Sequence, residues 1–458
     1  MANIPTFHGD LLQRGDAEYE EARQAAVWNG RKPNRFPDLI LLAASERDVV
    51  QAVRMAAERG FTIGIRSGGH SWVANGVRDG GLLIDLSRMQ EIDIDVAAQT
   101  VAVSPAVKGR ELNERLGEQG LYFPGGHCPS VGLGGFLLGA GFGWNCVDRG
   151  VGATSVVAID VVTADGELIR ADDNDNSDYM WAARGAGPGF FGVITRFHLK
   201  VYPLPHLARC FTAYRAEDTK EVLDWWLPQL PDLHDRFNTS VFAHQSPAPG
   251  SDDKLMFVTQ TSFGVTEEES LDLMKPFESK PLMERAVMAH PPAKATFADA
   301  YDFMDTIYPQ GLRYFADSVW VDHTRAGLSA TLQGIFESLP TRWAHVLLGP
   351  WKPRDHTNHA FSQQSHLAIH VYGVSDREQD DEAMFEWTRD TMRLFEPYEV
   401  AGGKINDADL VLRDHLVLSE ANTVRLEELR AKHDPNGIFH SYLRTGRQPW
   451  TSGQLAPL

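Results

Sequence analysis

The amino-acid sequence predicts an α+β protein of two domains, one of them built around glycine-rich turns. Three observations carry this. The chain has 458 residues, more than one simple core accommodates. Glycine clusters crowd the first 205 residues and thin out afterwards. Between residues 206 and 400, strand-like segments lie between two helical ones, the pattern of a sheet with helices on one face. The expected units are 1–205, 206–400 and 401–458, with Pro203 and Pro205 closing the first.

Residues 1–35 read as polar and irregular. Ser45-Glu46-Arg47-Asp48 reads as a capping box opening a helix with Val49, Val50, Val53 and Ala57 at helical spacing, stopped by Gly60. Strands are expected at 61–65, at 82–86 after the Asp79-Gly80-Gly81 turn signal, and at 100–104. A short helix over 110–119 ends at Gly120. Eight glycines then fall between Gly125 and Gly143, too many for an ordinary packed helix. The chain there must approach something flat or another backbone. A β-branched strand at 156–162, a helix at 178–184 and a strand at 193–201 complete the first unit. In the second, helices are expected at 221–230 and 381–395, with strands at 239–244, 255–261, 318–322 and 366–372. A last helix, 425–432, is terminated by Pro435 and Gly437.

The net charge of -19 argues against nucleic acid or an anionic membrane as partner. No apolar run reaches the length of a membrane span. Met1-Ala2-Asn3-Ile4-Pro5-Thr6 shows no basic or apolar signal region, so a cytoplasmic protein is expected. Cys128, Cys146 and Cys210 form neither a disulfide framework nor a metal-ligand pattern. No metal site is expected.

Two turns carry the chemistry. Arg66-Ser67-Gly68-Gly69-His70-Ser71 sets an imidazole among glycines, whose amides and Arg66 suit a diphosphate. Gly125-Gly126-His127-Cys128-Pro129-Ser130-Val131-Gly132-Leu133-Gly134-Gly135 does the same for a thiol. Free amides and the adjacent His127 are expected to lower the Cys128 pKa below about 8.5. Cys146 and Cys210 read as structural.

These turns, with Gly139-Ala140-Gly141-Phe142-Gly143, Trp181 to Val193, Arg425-Leu426 and Lys432 to Phe439, resemble the vanillyl-alcohol-oxidase superfamily of FAD proteins. The berberine-bridge-enzyme-like branch is the nearest. The resemblance covers both ends of the chain. It implies a two-lobed FAD-binding domain of the PCMH type, with its core near 34–204 and the C-terminal segment returning to it. It also implies a substrate domain with an antiparallel sheet and helices on one face. The cofactor would be FAD, bonded at its 8α-methyl to His70 and at C6 to Cys128. Cofactor contacts would come from Arg66, Ser67, Gly68, Gly69, His70 and Ser71, and from Gly126, His127, Cys128, Val131, Gly132, Gly134 and Gly135. Further contacts would come from Gly139, Gly141, Gly192, Val193 and Asn406. Val131 matches a position where the family places valine in oxidases, so dioxygen would be the electron acceptor and hydrogen peroxide a product. Two departures stand out: Phe190-Phe191-Gly192 replaces Asn-Phe-Gly, and Leu418-Ser419-Glu420-Ala421-Asn422 replaces a tyrosine-rich stretch.

For the substrate side, alternate strand residues share a face. Gln364, His366, Ala368, His370 and Tyr372 would face the flavin, with Leu367, Ile369 and Val371 packing on helices. Tyr372 or His370 would be the general base while a hydride leaves a small-molecule alcohol or amine. No GxGxxG follows the first strand, which excludes an ordinary NAD site. A dehydrogenase with another acceptor, and a flavin-binding protein without turnover, are the alternatives this reading leaves open.

Overall fold

The structure, a computed structural model, describes residues 5–246, 250–277, 280–411, 413 and 416–443. Met1 to Ile4, part of the stretch read for a signal, lie outside the described residues.

The first sheet has four short strands in the order Asp10–Gln13, Leu39–Leu42, Leu82–Asp85, Ile63–Arg66. The last three are parallel and the first is antiparallel. Parallel strands need a crossover, and the helix Glu46–Arg59 joins Leu39–Leu42 to Ile63–Arg66 on either side of Leu82–Asp85. Its Val49, Ala52, Val53 and Ala56 are buried against Leu41, Ile63 and Ile84. The expected capping box is only half made. Ser45 accepts from the Asp48 N–H, but the Asp48 carboxylate turns away. It accepts instead from the amides of His8, Gly9 and Ala44, tying the N-terminal segment to the helix.

That segment corrects the expectation of irregular structure over 1–35. Asp10–Gln13 adds an edge strand, and Tyr19–Ala25 is a helix that buries Tyr19 and Ala22. Tyr19, Ala22 and Ala26 recur at helical spacing and pack on Ile40 and Leu83.

The second sheet is antiparallel, in the order Ile92–Asp95, Thr100–Val103, Val193–Lys200, Val156–Val162, Leu168–Ala171. The third is an eight-stranded antiparallel sheet. Its order is Met288–Ala295, His206–Arg215, Lys254–Gly264, Phe237–Gln245, His345–Pro350, Leu367–Ser375, Arg313–Val321, Glu399–Ala401. The helices Thr219–Trp226, Leu328–Glu337 and Asp381–Leu394 cover one face, where Trp226, Leu332 and Met392 join Val319, Ile369 and Val371 in one core. The other face looks toward the first two sheets, with the helix Phe297–Ile307 beside it. The helix expected over 221–230 breaks after Trp226 into a 3-10 segment containing Pro228 and Pro231. The strand Met288–Ala295 was not expected because it holds Pro291 and Pro292. It is an edge strand, where missing N–H donors are tolerated.

The helix Glu420–His433 begins five residues earlier than expected, capped by the Ser419 side chain. Its Leu426 and Leu429 pack with Phe190, and Phe439 bridges to Ile63, so the C-terminal segment returns to the first two sheets.

Candidate functional site

A cavity of about 470 Å³ runs between the glycine turns and the bare face of the large sheet. One end is apolar, lined by Ile63, Ile65, Val77, Leu86 and Phe197. The middle is glycine backbone, and the other end is aromatic.

Glycine lets the two turns meet. A Cβ on Gly68 would stand 2.6 Å from the Gly132 nitrogen, and one on Gly132 would stand 2.9 Å from the Gly68 Cα. Both obstacles are backbone, so neither can swing aside. Gly68→Ala or Gly132→Ala should therefore cost about 1–3 kcal/mol and separate the turns. A lowered thermal midpoint with reduced flavin content is the expected result.

His70 and Cys128 converge on one hydroxyl. The Ser130 Oγ lies 3.1 Å from His70 Nε2 and 3.6 Å from Cys128 Sγ. The His70 ring stacks on Trp28 at 4.6 Å. Burial holds the imidazole at a pKa of about 3, so it is neutral and keeps a lone pair. A proton on Nε2 donated to Ser130 leaves Nδ1 as the nucleophilic nitrogen. The thiol differs from expectation. Burial raises the Cys128 pKa, and the Ser130 hydrogen bonds only partly offset this. His127 does not activate it: burial with the nearby Lys404 and Arg209 charges holds that imidazole at about 4, edge-on to Trp144.

On the sheet wall, His370 and Tyr372 line the cavity as expected. Leu367, Ile369 and Val371 face the helices. Gln364, His366 and Ala368 do not reach the cavity. Gln364 accepts from the Trp351 indole at 2.7 Å, His366 lies against His323, and Ala368 packs with Trp320 and Trp351. His370 Nδ1 stands 3.4 Å from the Asp407 carboxylate, whose other oxygen accepts from the Trp72 indole at 3.3 Å. Burial, with the Lys404 and His127 charges, pushes the His370 pKa well down. Burial and the Asp407 charge push Tyr372 far up, and Tyr372 hydrogen-bonds to Tyr308. Tyr372 therefore keeps its proton, and His370 is held neutral.

Ser67, Gly68, Gly69, Ser71, Gly126, Val131, Gly132, Gly134, Gly135, Gly192 and Asn406 also line the cavity. Three cofactor assignments need correction. Arg66 lines the cavity as expected; its terminal nitrogens are held by Asp85 at 3.0 Å and by the Ala25 carbonyl, and its buried Nε has no partner. That N–H and the turn amides are what is left for a diphosphate. Gly139 and Gly141 lie off the wall, because Asn406 fills the space beside one and the Phe136 ring the space beside the other. Val193 is buried in the core with Ile63 and Ile84. Cys146, expected to be purely structural, reaches the cavity wall.

Sequence reasoning missed Trp28, Trp72, Tyr308, Lys404 and Asp407, all on this wall. Asp407 follows Asn406 directly, and that adjacency was the available signal.

Several imidazoles share the acid sensitivity of His70. Burial holds His345 and His359 at about 3 and His440 at about 4. Unfolded, each titrates near 6.5. Below that pH the unfolded chain binds protons that the folded chain refuses. Stability is thus fully present above about pH 6.5 and is lost as pH falls toward the folded values. Thermal midpoints should drop steeply from pH 6.5 to pH 4, with more than one proton taken up on unfolding.

The FAD binding domain family matches residues 37–172. The FAD-linked oxidoreductase nodO of Hypoxylon pulicicidum is 33% identical over 436 residues, covering 92% of this chain and 93% of that one. The chain belongs to the FAD-linked oxidoreductases. This FAD-linked oxidoreductase is also similar to (R)-6-hydroxynicotine oxidase of Paenarthrobacter nicotinovorans, 32% identical over 245 residues and 53% of each chain. In structure it matches 6-hydroxy-D-nicotine oxidase of Arthrobacter nicotinovorans with a TM-score of 0.84 at 21% identity, over 96% of this chain and 99% of that one. BBE-like 1 of Physcomitrella patens gives 0.81 at 18% identity, over 95% and 96%. These two likenesses concern the fold. The cavity of this FAD-linked oxidoreductase suits its cofactor: an apolar end for adenine, glycine amides for a diphosphate, and an aromatic end with an imidazole and a thiol for the ring.

Proposed function

We propose that this oxidoreductase is an oxidase whose FAD is bonded to His70 and Cys128. It removes a hydride from a C–H beside a hydroxyl or amine and passes the electrons to dioxygen. Residues up to about 205, with the C-terminal segment, hold the cofactor, and residues 206–400 supply the substrate wall. One observation carries the reading: Ser130 touches both His70 and Cys128 on the wall of the cavity that His370 and Asp407 share.

FAD, when bound, supplies a two-electron acceptor for the hydride. His370 Nε2 takes the hydroxyl or amine proton as the C–H bond breaks. The Asp407 carboxylate, 3.4 Å from Nδ1, favours a proton on that side of the ring by its charge, and Trp72 fixes Asp407. Tyr372 donates to the substrate heteroatom or its product. Trp72, Tyr308 and Tyr372 form an aromatic wall that positions the reacting carbon. Val131, also on the wall, is small enough to leave dioxygen a path.

The test has two parts. Denatured wild-type protein should retain its yellow colour and exceed the chain mass by one FAD. Anaerobically reduced protein should reoxidise within seconds of air admission and release hydrogen peroxide. Flavin lost on denaturation overturns the covalent reading; slow reoxidation with fast transfer to a dye overturns the oxidase reading. The similarity to a hydroxynicotine oxidase makes cyclic amines the first substrates to try.

A further inference from the structure

The cavity extends past the catalytic groups along the large sheet, and its far wall is unlike the aromatic end. Arg209, Thr261 and Asn238 lie side by side there on three neighbouring strands, because Arg209 pairs with Thr261 and Thr261 with Asn238. Directly opposed residues face the same side, and all three line the cavity. None of the ion pairs among the described residues includes Arg209. Its guanidinium rests on the rings of Phe303 and Trp144, at 5.1 and 5.9 Å, and makes one long bond to the Asp299 carbonyl, 3.5 Å. Asn238 Oδ1 is buried with no hydrogen-bond partner. Polar groups so placed are normally satisfied, and a largely desolvated guanidinium ordinarily has an anion.

The surroundings accentuate this. The protein carries a net charge of -19, yet three cations line this cavity, and two of them, Arg209 and Lys404, are in no ion pair among the described residues. Its one lining carboxylate, Asp407, is engaged by Trp72 and stands beside His370. Between the two ends the wall is apolar: Phe242, Phe303, Met304 and Leu347. In register, Phe242 and Leu347 share a row with His370. Asn238 lies four residues along the strand from Phe242, about 14 Å at about 3.4 Å per residue.

We propose that Arg209, with Thr261 and Asn238, forms a carboxylate subsite, so that the substrate is an elongated molecule with an apolar body and a carboxylate remote from the carbon that is oxidised. The fork of the guanidinium receives the two carboxylate oxygens, and Thr261 donates to one of them. Asn238 Oδ1 accepts from a hydroxyl or N–H next to the carboxylate. Phe242, Phe303, Met304 and Leu347 cover the body. This rests on the oxidase reading only in placing the reacting carbon at His370.

The test is equilibrium binding to the flavin-loaded protein, followed by flavin absorbance and by tryptophan fluorescence, since Trp144 touches Arg209. The probes are 6-phenylhexanoate and its methyl ester. The acid should bind wild type at least tenfold tighter than the ester. Arg209→Gln should weaken acid binding by about 10- to 100-fold, leave ester binding unchanged and leave flavin content unchanged. Arg209→Lys should restore part of the loss. Equal affinity for acid and ester, or an acid affinity indifferent to Arg209→Gln, overturns the subsite. Loss of flavin from Arg209→Gln also overturns it, assigning Arg209 to the cofactor. Failure of the oxidase reading appears separately, as slow reoxidation of a protein that still prefers the acid.

Discussion

Denatured His70→Ala, Cys128→Ala protein releases all of its flavin, whereas either single variant keeps it: that is the result expected if these two side chains are the attachment points. Both groups approach the same Ser130 hydroxyl, so they stand within one ring's width of each other on the cavity wall. Either bond alone then suffices to hold the cofactor through unfolding. The two bonds should form with different sensitivities to pH. His70 is neutral down to about pH 3, so attachment in Cys128→Ala should proceed equally well at pH 5 and pH 8. The thiolate is the nucleophilic form of cysteine, and burial raises the Cys128 pKa. Attachment in His70→Ala should therefore quicken as pH rises past 8. Mass spectrometry of apoprotein mixed with FAD, sampled over time, reads both rates. Covalent flavin in the double variant would falsify the assignment, and identical pH profiles for the single variants would remove the stated chemistry.

The glycine turns were legible because their constraint is local. A backbone that must touch another backbone excludes every side chain, and the contact of Gly68 with Gly132 is such a case. The strand face bearing His370 and Tyr372 was legible for a similar reason, since period-two alternation decides it. Its extent was not: where Leu367–Ser375 begins depends on pairing with Arg313–Val321 and His345–Pro350, and local alternation does not carry that register. Arg66 illustrates the limit of motif reasoning. An arginine beside a glycine turn suits a phosphate, but Asp85 on the adjacent parallel strand takes part of its guanidinium, and only the register Arg66 to Asp85 reveals that. The Cys128 pKa went the same way. Sequence shows the amides and the neighbouring histidine but not the burial, and here burial outweighs them. Asp407 and Lys404 lie in a segment without periodicity, so nothing short of the fold brings them to His370.

Replacing His370 should cost more than any other change on the sheet wall. His370→Gln keeps the size and one hydrogen-bonding head but removes the proton acceptor. Flavin reduction by an alcohol or amine that bleaches wild type should slow by about 10²–10⁴-fold in stopped flow. Flavin content should not change, because His370 belongs to the large sheet and not to the turns. The pH profile separates the two bases considered. With its pKa held well below 6.5, His370 remains a base throughout the neutral range, and the wild-type rate should be flat from pH 9 down to about pH 6. Were Tyr372 the base, its raised pKa would make the rate climb tenfold with each pH unit across that range. Tyr372→Phe should accordingly slow the reaction far less than His370→Gln and leave the profile flat. Asp407→Asn should fall between them, since the imidazole survives while the carboxylate charge beside Nδ1 is gone. A rising wild-type profile together with a near-silent His370→Gln would transfer the role to Tyr372.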